Sequence, residues 1–369
     1  MNKTSRAVVQ TGDRQMELRE LAVPASLPPT YGLLRVEANG VCGSDYGQYI
    51  GELRKSGWGA YPLIPGHEPL GSIEWVGDDA RRIWGVTEGD RVAVEGSTPC
   101  RVCSACLSGR EKFCPNGFTY GYTSLHNEHG LWGGMSQYLV LRPTSVLHRL
   151  PDELSFERAA FGNALSAGFD WTIRLGGTRV GDSVLVLGAG QRGIACALAA
   201  AEAGARQVVT TGLTRDASKL ALAREFGATD TIDVEREDLL PRLRELTGGR
   251  PFDRVIDCTP LATQPILDAL EALAPGGTLV LAGTKGMREV AGFVSDRIVL
   301  KGLHVVGAFS TSYWAHEQAL RVLADPRQRY PFEKLSSQIV PLERAEEGIR
   351  LLGGELQQAP VHVTVAPWA

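Results

Sequence analysis

SVLVLGAGQRGIACALAAA, Ser183–Ala201, sets Gly188, Gly190 and Gly193 in a GxGxxG frame behind an apolar run and at the head of an alanine-rich one. SVLVL reads as a strand, and GIACALAAAEAG continues as a helix. In that context each glycine has a task. The first permits a tight turn, the second lets a pyrophosphate approach the backbone, and the third lets the helix pack on the strand, with the positive end of the helix dipole toward the anion. Arg192, inside the loop, puts a cation either beside the pyrophosphate or in solvent.

Working outward from this loop, QVVTTG, DTIDV, RVIDC, GTLVLAG and HVVGA read as further strands, separated by helices such as ASKLALAREFG. With the first strand they make the alternating series of an α/β doubly wound parallel sheet. The second strand ends at Gly212, where an NAD-preferring fold places a carboxylate for the ribose hydroxyls. Thr214 and Arg215 follow, a hydroxyl and a guanidinium suited to a ribose 2'-phosphate, so NADP(H) is expected over NAD(H). The alternative is that Asp216 folds back to do the acid's work while Arg215 is surface charge.

The chain before about Leu154 is different in texture, rich in glycine, proline and short β-type runs such as GLLRVEANGVC, and predicts an irregular, mostly β domain. LSFERAAFGNALSAGFDWTIRL, from Leu154, has helical spacing. Beyond Phe309, two helices (YWAHEQALRVLAD and LERAEEGIRLLGG) and a closing strand (VHVTVA) do not extend the parallel series and are expected to return to the first domain. The expected division is therefore 1–158 with 310–369, and 159–309. A length of 369 residues suits two cores.

A formal net charge of −4 argues against nucleic acid as the main partner. No run of about 18 apolar residues suggests a membrane partner, and the charged amino terminus fits neither anchor nor signal, so a cytoplasmic location is expected. Of seven cysteines, Cys100, Cys103, Cys106 and Cys114 form C-x-x-C-x-x-C with a fourth after seven residues. Four thiolates with no open position describe a closed, structural zinc site, with an iron–sulfur cluster as the alternative. Cys42, and His67 with Glu68 in LIPGHEPLG, offer sulfur, imidazole and carboxylate, the mixed set of a catalytic zinc. Cys196 and Cys258 read as small core residues, and His126 and His129 as loop surface. Trp58, Tyr61, Trp132 and Phe161 lie near the metal motifs in sequence and line either an apolar substrate pocket or the core.

In this order, the GHE at Gly66–Glu68, the four-cysteine lobe and the GxGxxG loop resemble the zinc-dependent medium-chain alcohol and polyol dehydrogenases, as do GDRV at Gly89–Val92 and EFGATD at Glu225–Asp230. The resemblance implies a GroES-like catalytic domain, a Rossmann coenzyme domain, two zinc ions per chain and a homodimer or homotetramer. It makes Cys42 and His67 zinc ligands, with Glu68 a ligand or a close carboxylate exchanging with water. Ser44 falls where a hydroxyl accepts the alcohol proton, and Asp45 where a carboxylate orients the ligand histidine.

Two positions depart from that pattern. Asn163 stands where a further cysteine or carboxylate ligand is often found, which leaves a water position with the amide beside it. Gly47 stands where many relatives have a histidine, so a proton relay must end at Ser44 and the nicotinamide ribose, or pass through Gln48, Tyr46 or water. The expected reaction is hydride transfer between NADP(H) and an alcohol or ketone, on a secondary, rather apolar alcohol. The alternatives are a polyol or sugar dehydrogenase and a zinc- and dinucleotide-binding protein without turnover.

Overall fold

The computed structural model describes residues 3–335, 338–356 and 360–369. The chain divides into two compact units, Met1–Asn163 with Phe332–Ala369, and Ala164–Pro331.

The second unit contains the parallel sheet. Its six strands run in the spatial order Asp230–Asp233, Gln207–Gly212, Ser183–Leu187, Phe252–Asp257, Leu273–Leu281 and His304–Gly307, and every neighbouring pair is parallel. In chain order this is 3-2-1-4-5-6, so the order reverses beside Ser183–Leu187, where a doubly wound sheet opens its ligand crevice. All residues of that strand are buried, as a strand covered on both faces requires. Leu185, Leu187, Val209, Ile232, Val255 and Leu279 form the core of one layer.

The glycine loop performs the geometry its spacing requires. Gly188 has φ +103°, open to glycine at little cost. A Cβ on Gly190, the residue before the helix Gln191–Glu202, would meet nothing within 4 Å, so the backbone there is bare to a ligand. A Cβ on Gly193 would stand 1.8 Å from the Gly188 carbonyl oxygen, so helix and turn are as close as backbone allows. Gly193→Val should therefore force the helix off the turn. We expect coenzyme affinity to fall at least about a hundredfold and stability by about 1–3 kcal/mol, read by coenzyme titration and thermal melting.

In the first unit the strand Gly32–Gly40 is central. It pairs antiparallel with Pro69–Val76, with Tyr138–Leu141 and, at its end, with Val363–Val365 from the carboxy-terminal segment. Leu34, Val36, Ile73, Leu139, Val140, Val363 and Val365 lie in its core. Asn39 is paired with Pro69, and the Gly40 amide donates to the Glu68 carbonyl. That register sets Cys42, just past one strand, beside His67 and Glu68, just before the other.

The return to the first unit begins at Phe332 rather than after Phe309. The helix Tyr313–Leu323 stays with the second unit because its cap is held there. Ser312 caps the Ala315 amide, its own amide donates to Asp170 at 3.2 Å, and its hydroxyl also bonds Asp170. Trp314 packs edge-on against Phe169. The second expected helix and the closing strand, Ala345–Leu352 and Val363–Val365, do lie in the first unit.

Candidate active site

Cys42 is the residue before the helix Gly43–Tyr49, and its amide donates to Asp45 Oδ2 at 2.8 Å. This bond satisfies one of the helix's open amides and fixes the Asp45 carboxylate. The other oxygen, Asp45 Oδ1, lies 3.1 Å from His67 Nδ1. The network therefore puts a hydrogen on Nδ1 and makes Nε2 the nitrogen that a metal would take. Nε2 lies 3.8 Å from Glu68 Oε1 and 3.4 Å from the Ser44 hydroxyl. One ligand atom each of Cys42, His67 and Glu68 falls within 4.8 Å of the others, a spacing that suits one ion with bonds of about 2.0–2.3 Å.

Cys42 and Glu68 are both buried. A buried thiol and a buried carboxylate facing one imidazole make a donor set that a divalent cation would neutralise. Room for the carboxylate comes from Gly40, where a Cβ would lie 2.5 Å from Glu68 Oε2. Burial alone would lower the His67 pKa, but Tyr122, Asp45 and Cys42 outweigh it and hold the imidazole well above the usual histidine range.

Tyr122 escaped the sequence reading. Its ring lies 5.4 Å from that of His67 and 5.9 Å, edge-on, from that of Trp58. Burial pushes the phenol up to about 12, so it is a neutral group at pH 7. No motif marks an isolated tyrosine in a loop, and only the fold brings it here. Of the four aromatics singled out by sequence, Trp58 flanks this group through Tyr122. Trp132 packs on Phe118, Phe161 on Phe332 and His362, and Tyr61 bonds Gln10 and Asp13, so these three belong to the core and its edge.

Neither side chain considered as a substitute relay at Gly47 is turned to the task. The Tyr46 hydroxyl donates to Glu355 at 2.9 Å, and Gln48 bonds Gln10 and the Gly121 carbonyl, each at 3.2 Å. Asn163 is half-buried at the end of the first unit's leading segment.

Cys100, Cys103, Cys106 and Cys114 converge with sulfur–sulfur distances of 3.5 Å (Cys103–Cys106) and 3.7 Å (Cys103–Cys114), all four within 4.8 Å. A tetrahedron with bonds of about 2.3 Å has edges of about 3.8 Å, so the four sulfurs fit a single ion. Sulfurs ligating separate irons of a cluster would stand further apart. The Val102 amide helps push the Cys100 thiol down to about 6, whereas burial drives Cys106 up to about 12.

At the coenzyme loop, the Arg192 guanidinium lies over the Trp171 ring, 5.6 Å from its centroid. Gly212 packs tightly, a Cβ there meeting Leu220 at 3.0 Å and Ala189 at 3.2 Å. Arg215 is exposed. Thr214 is held by the next strand, its hydroxyl donating to Asp233 Oδ2 and its amide to Glu235 Oε2, both at 2.8 Å. Asp216 accepts from the Leu213 amide at 3.2 Å. Two carboxylates that sequence order separates from Thr214 thus meet it in space. Cys196 and Cys258 touch, sulfur to sulfur at 3.8 Å, and that contact, together with burial, holds the Cys258 thiol well above its usual range, which makes it a poor nucleophile.

The comparisons with known proteins agree with this geometry. Residues 28–152 match the model of the alcohol dehydrogenase GroES-like domain, and residues 193–325 that of the zinc-binding dehydrogenase. A protein of Mycobacterium tuberculosis named a probable alcohol dehydrogenase is 40% identical over 368 residues, 98% of each chain. An erythritol/L-threitol dehydrogenase of Mycolicibacterium smegmatis is 28% identical over 98% of this chain and 97% of its own. Among solved structures, a zinc-binding dehydrogenase of Sinorhizobium meliloti bound to NADP has a TM-score of 0.85 at 25% identity, covering 99% of this chain and all of that one. An alcohol dehydrogenase from Thermus has a TM-score of 0.82 at 27% identity, with 98% and 99% covered. With a GroES-like unit, a Rossmann sheet and both cysteine-bearing constellations in place, the chain belongs to the zinc-dependent medium-chain dehydrogenase/reductase family.

Proposed function

We propose that this protein oxidises a secondary, rather apolar alcohol, or reduces the matching ketone, with zinc at Cys42, His67 and Glu68 and a nicotinamide coenzyme on the Gly188–Gly193 loop. The observation that carries the reading is the convergence of those three donors within 4.8 Å, with Asp45 on the far nitrogen of His67. When bound there, zinc supplies Lewis acidity to an alcohol or carbonyl oxygen. The chain's own part is to hold His67 in one tautomer through Asp45, and to offer the Ser44 hydroxyl for the alcohol proton. Asn163, as a neutral amide, would orient water beside the metal without reducing its charge. Glu68 and the erythritol/L-threitol relative favour a polyol as the second reading.

A panel of secondary alcohols and polyols, run with zinc-loaded protein and each coenzyme, tests this. Oxidation of neither class would sink the function. A higher kcat/KM for polyols would replace the first reading by the second.

We further propose NADP(H) over NAD(H), since Gly212 leaves the strand end without an acid and Arg215 follows exposed. The solved zinc-binding dehydrogenase bound to NADP fits this choice. Asp233 and Glu235 oppose it, because they occupy Thr214 and bring negative charge toward the same strand ends. The preference should accordingly be shallow, under about tenfold in kcat/KM. Arg215→Ala should turn it toward NAD, and the pair Asp233→Asn, Glu235→Gln should deepen it by about tenfold. A parent that prefers NAD with Arg215→Ala changing nothing would overturn the assignment.

Two further assignments complete the proposal. Four thiols kept reduced for zinc suit the cytoplasm, and among the described residues no helix is long and apolar enough to cross a membrane. The edge strand His304–Gly307 exposes Val305, and Val299 and Leu300 before it are 74% and 86% exposed, which suits a homodimer or homotetramer assembled on that edge.

A further inference from the structure

We propose that the buried pair Asp257–Lys285 sets the ratio of affinities for oxidised and reduced coenzyme, its two opposite charges balancing each other at the nicotinamide half of the crevice. This rests on the nicotinamide-coenzyme reading above.

The register places the pair. Asp257, the last residue of the strand Phe252–Asp257, is aligned with Leu187, the residue before Gly188, on one side and with Leu281 on the other. Strand order reverses beside Ser183–Leu187, so a dinucleotide crossing there lays one nucleotide on each half of the sheet. Gly212 ends a strand of the half that takes the adenosine ribose, which leaves Asp257 and Leu281 on the half that takes the nicotinamide. The Asp257 carboxylate is fully buried, and Lys285, from the loop after Leu281, brings its ammonium to 2.7 Å from Oδ2 with its side chain only 11% exposed.

The same two side chains fix the rim of the crevice. Asp257 Oδ1 accepts from the Thr259 amide at 3.0 Å and from its hydroxyl at 2.5 Å, and Lys285 donates to the Thr259 carbonyl at 2.5 Å and to Oγ1 at 3.0 Å. A Cβ on Gly188 would stand 3.2 Å from the Thr259 methyl, and one on Gly283 2.1 Å from the Thr259 carbonyl oxygen, so Thr259 is wedged against the turn that receives the coenzyme. With its ammonium among three oxygens, Lys285 is not turned to a phosphate. What the pair supplies is its field. The oxidised nicotinamide ring carries a positive charge and the reduced ring none, so one uncompensated charge in this buried setting acts on the first form and spares the second. Paired, the two charges largely cancel, and both forms are held.

Calorimetric titration of zinc-loaded protein with NADP+ and NADPH, and in parallel with NAD+ and NADH, tests this. Asp257→Asn leaves the cation and should raise the Kd of the oxidised form about tenfold relative to that of the reduced form. Lys285→Met leaves the anion and should move the ratio about as far in the opposite direction. Lys285→Arg should keep the ratio within about twofold of the parent's, and the double variant Asp257→Asn, Lys285→Met should return to it. Thermal melting of each variant reports the fold separately, and the neutral double variant carries the test if a single variant does not fold. Both single variants weakening the two forms equally, or moving the ratio in the same direction, would show that the pair only braces Thr259 and would overturn the proposal. A double variant whose ratio departs from the parent's by about tenfold would do the same. A parent that bound none of the four dinucleotides would instead overturn the coenzyme reading itself.

Discussion

A chain carrying Cys42→Ser and His67→Ala is expected to hold one zinc ion, against an expected two in the parent, and to lose at least about a thousandfold in kcat/KM for alcohol oxidation. The effect is large because the donors come from two strand ends joined by one register, Asn39 on Pro69, and the variant removes two of three. What remains is Glu68, a single carboxylate that cannot outcompete water for zinc. Loss of a supporting partner alone gives the lower bound. Asp45→Asn leaves every donor in place but weakens the acceptor for Nδ1, and changes of that kind typically cost about 10–100-fold in metal affinity or activity. The double variant must cost more. Its four-cysteine lobe should stay intact, so metal analysis would find one equivalent and circular dichroism an unaltered fold. Two equivalents retained, or activity within about tenfold of the parent, would place the reactive metal elsewhere.

Motifs whose physics is local could be read before any fold was known. The GxGxxG loop is one, since turn, bare backbone and close packing are all set within Gly188–Gly193. The six strands were readable because both-face burial leaves continuous apolar runs. Four cysteines within 15 residues needed only short chain closure to meet.

What sequence could not supply depends on contacts between distant segments. Thr214 pairs with Asp233 and Glu235 only because neighbouring parallel strands end side by side, with Gly212 opposite Asp233. Tyr122 reaches His67 across the lobe, with no periodicity or spacing to announce it. The junction after Pro331 was hidden for another reason. The helix Tyr313–Leu323 has ordinary amphipathic spacing, and its allegiance is decided by one buried carboxylate, Asp170, reaching its cap.

Cys103→Ser should remove the other zinc and unravel the segment around it while leaving both cores folded. The Cys103 sulfur lies 3.5 Å and 3.7 Å from those of Cys106 and Cys114, so its loss removes one corner of the tetrahedron. Apolar packing does little to hold the segment otherwise. From Pro99 to Gly117 no residue is buried, and Val102, Leu107 and Phe113 are 76%, 76% and 67% exposed. Hydrophobic burial therefore contributes little, and a bound ion would take the place of a core. In peptides with such sites metal binding is worth about 10–16 kcal/mol and is inseparable from folding. The expected result is a protein with one zinc, cleaved by trypsin at Arg101, Arg110 or Lys112 far faster than the parent, with the six-stranded sheet still melting cooperatively. Chelation of the parent should proceed in the opposite order: the site with one thiolate, one imidazole and one carboxylate yields first, removing activity before trypsin sensitivity appears. If Cys103→Ser kept two zinc ions and parental trypsin resistance, the segment would have to be held by forces other than its thiolates.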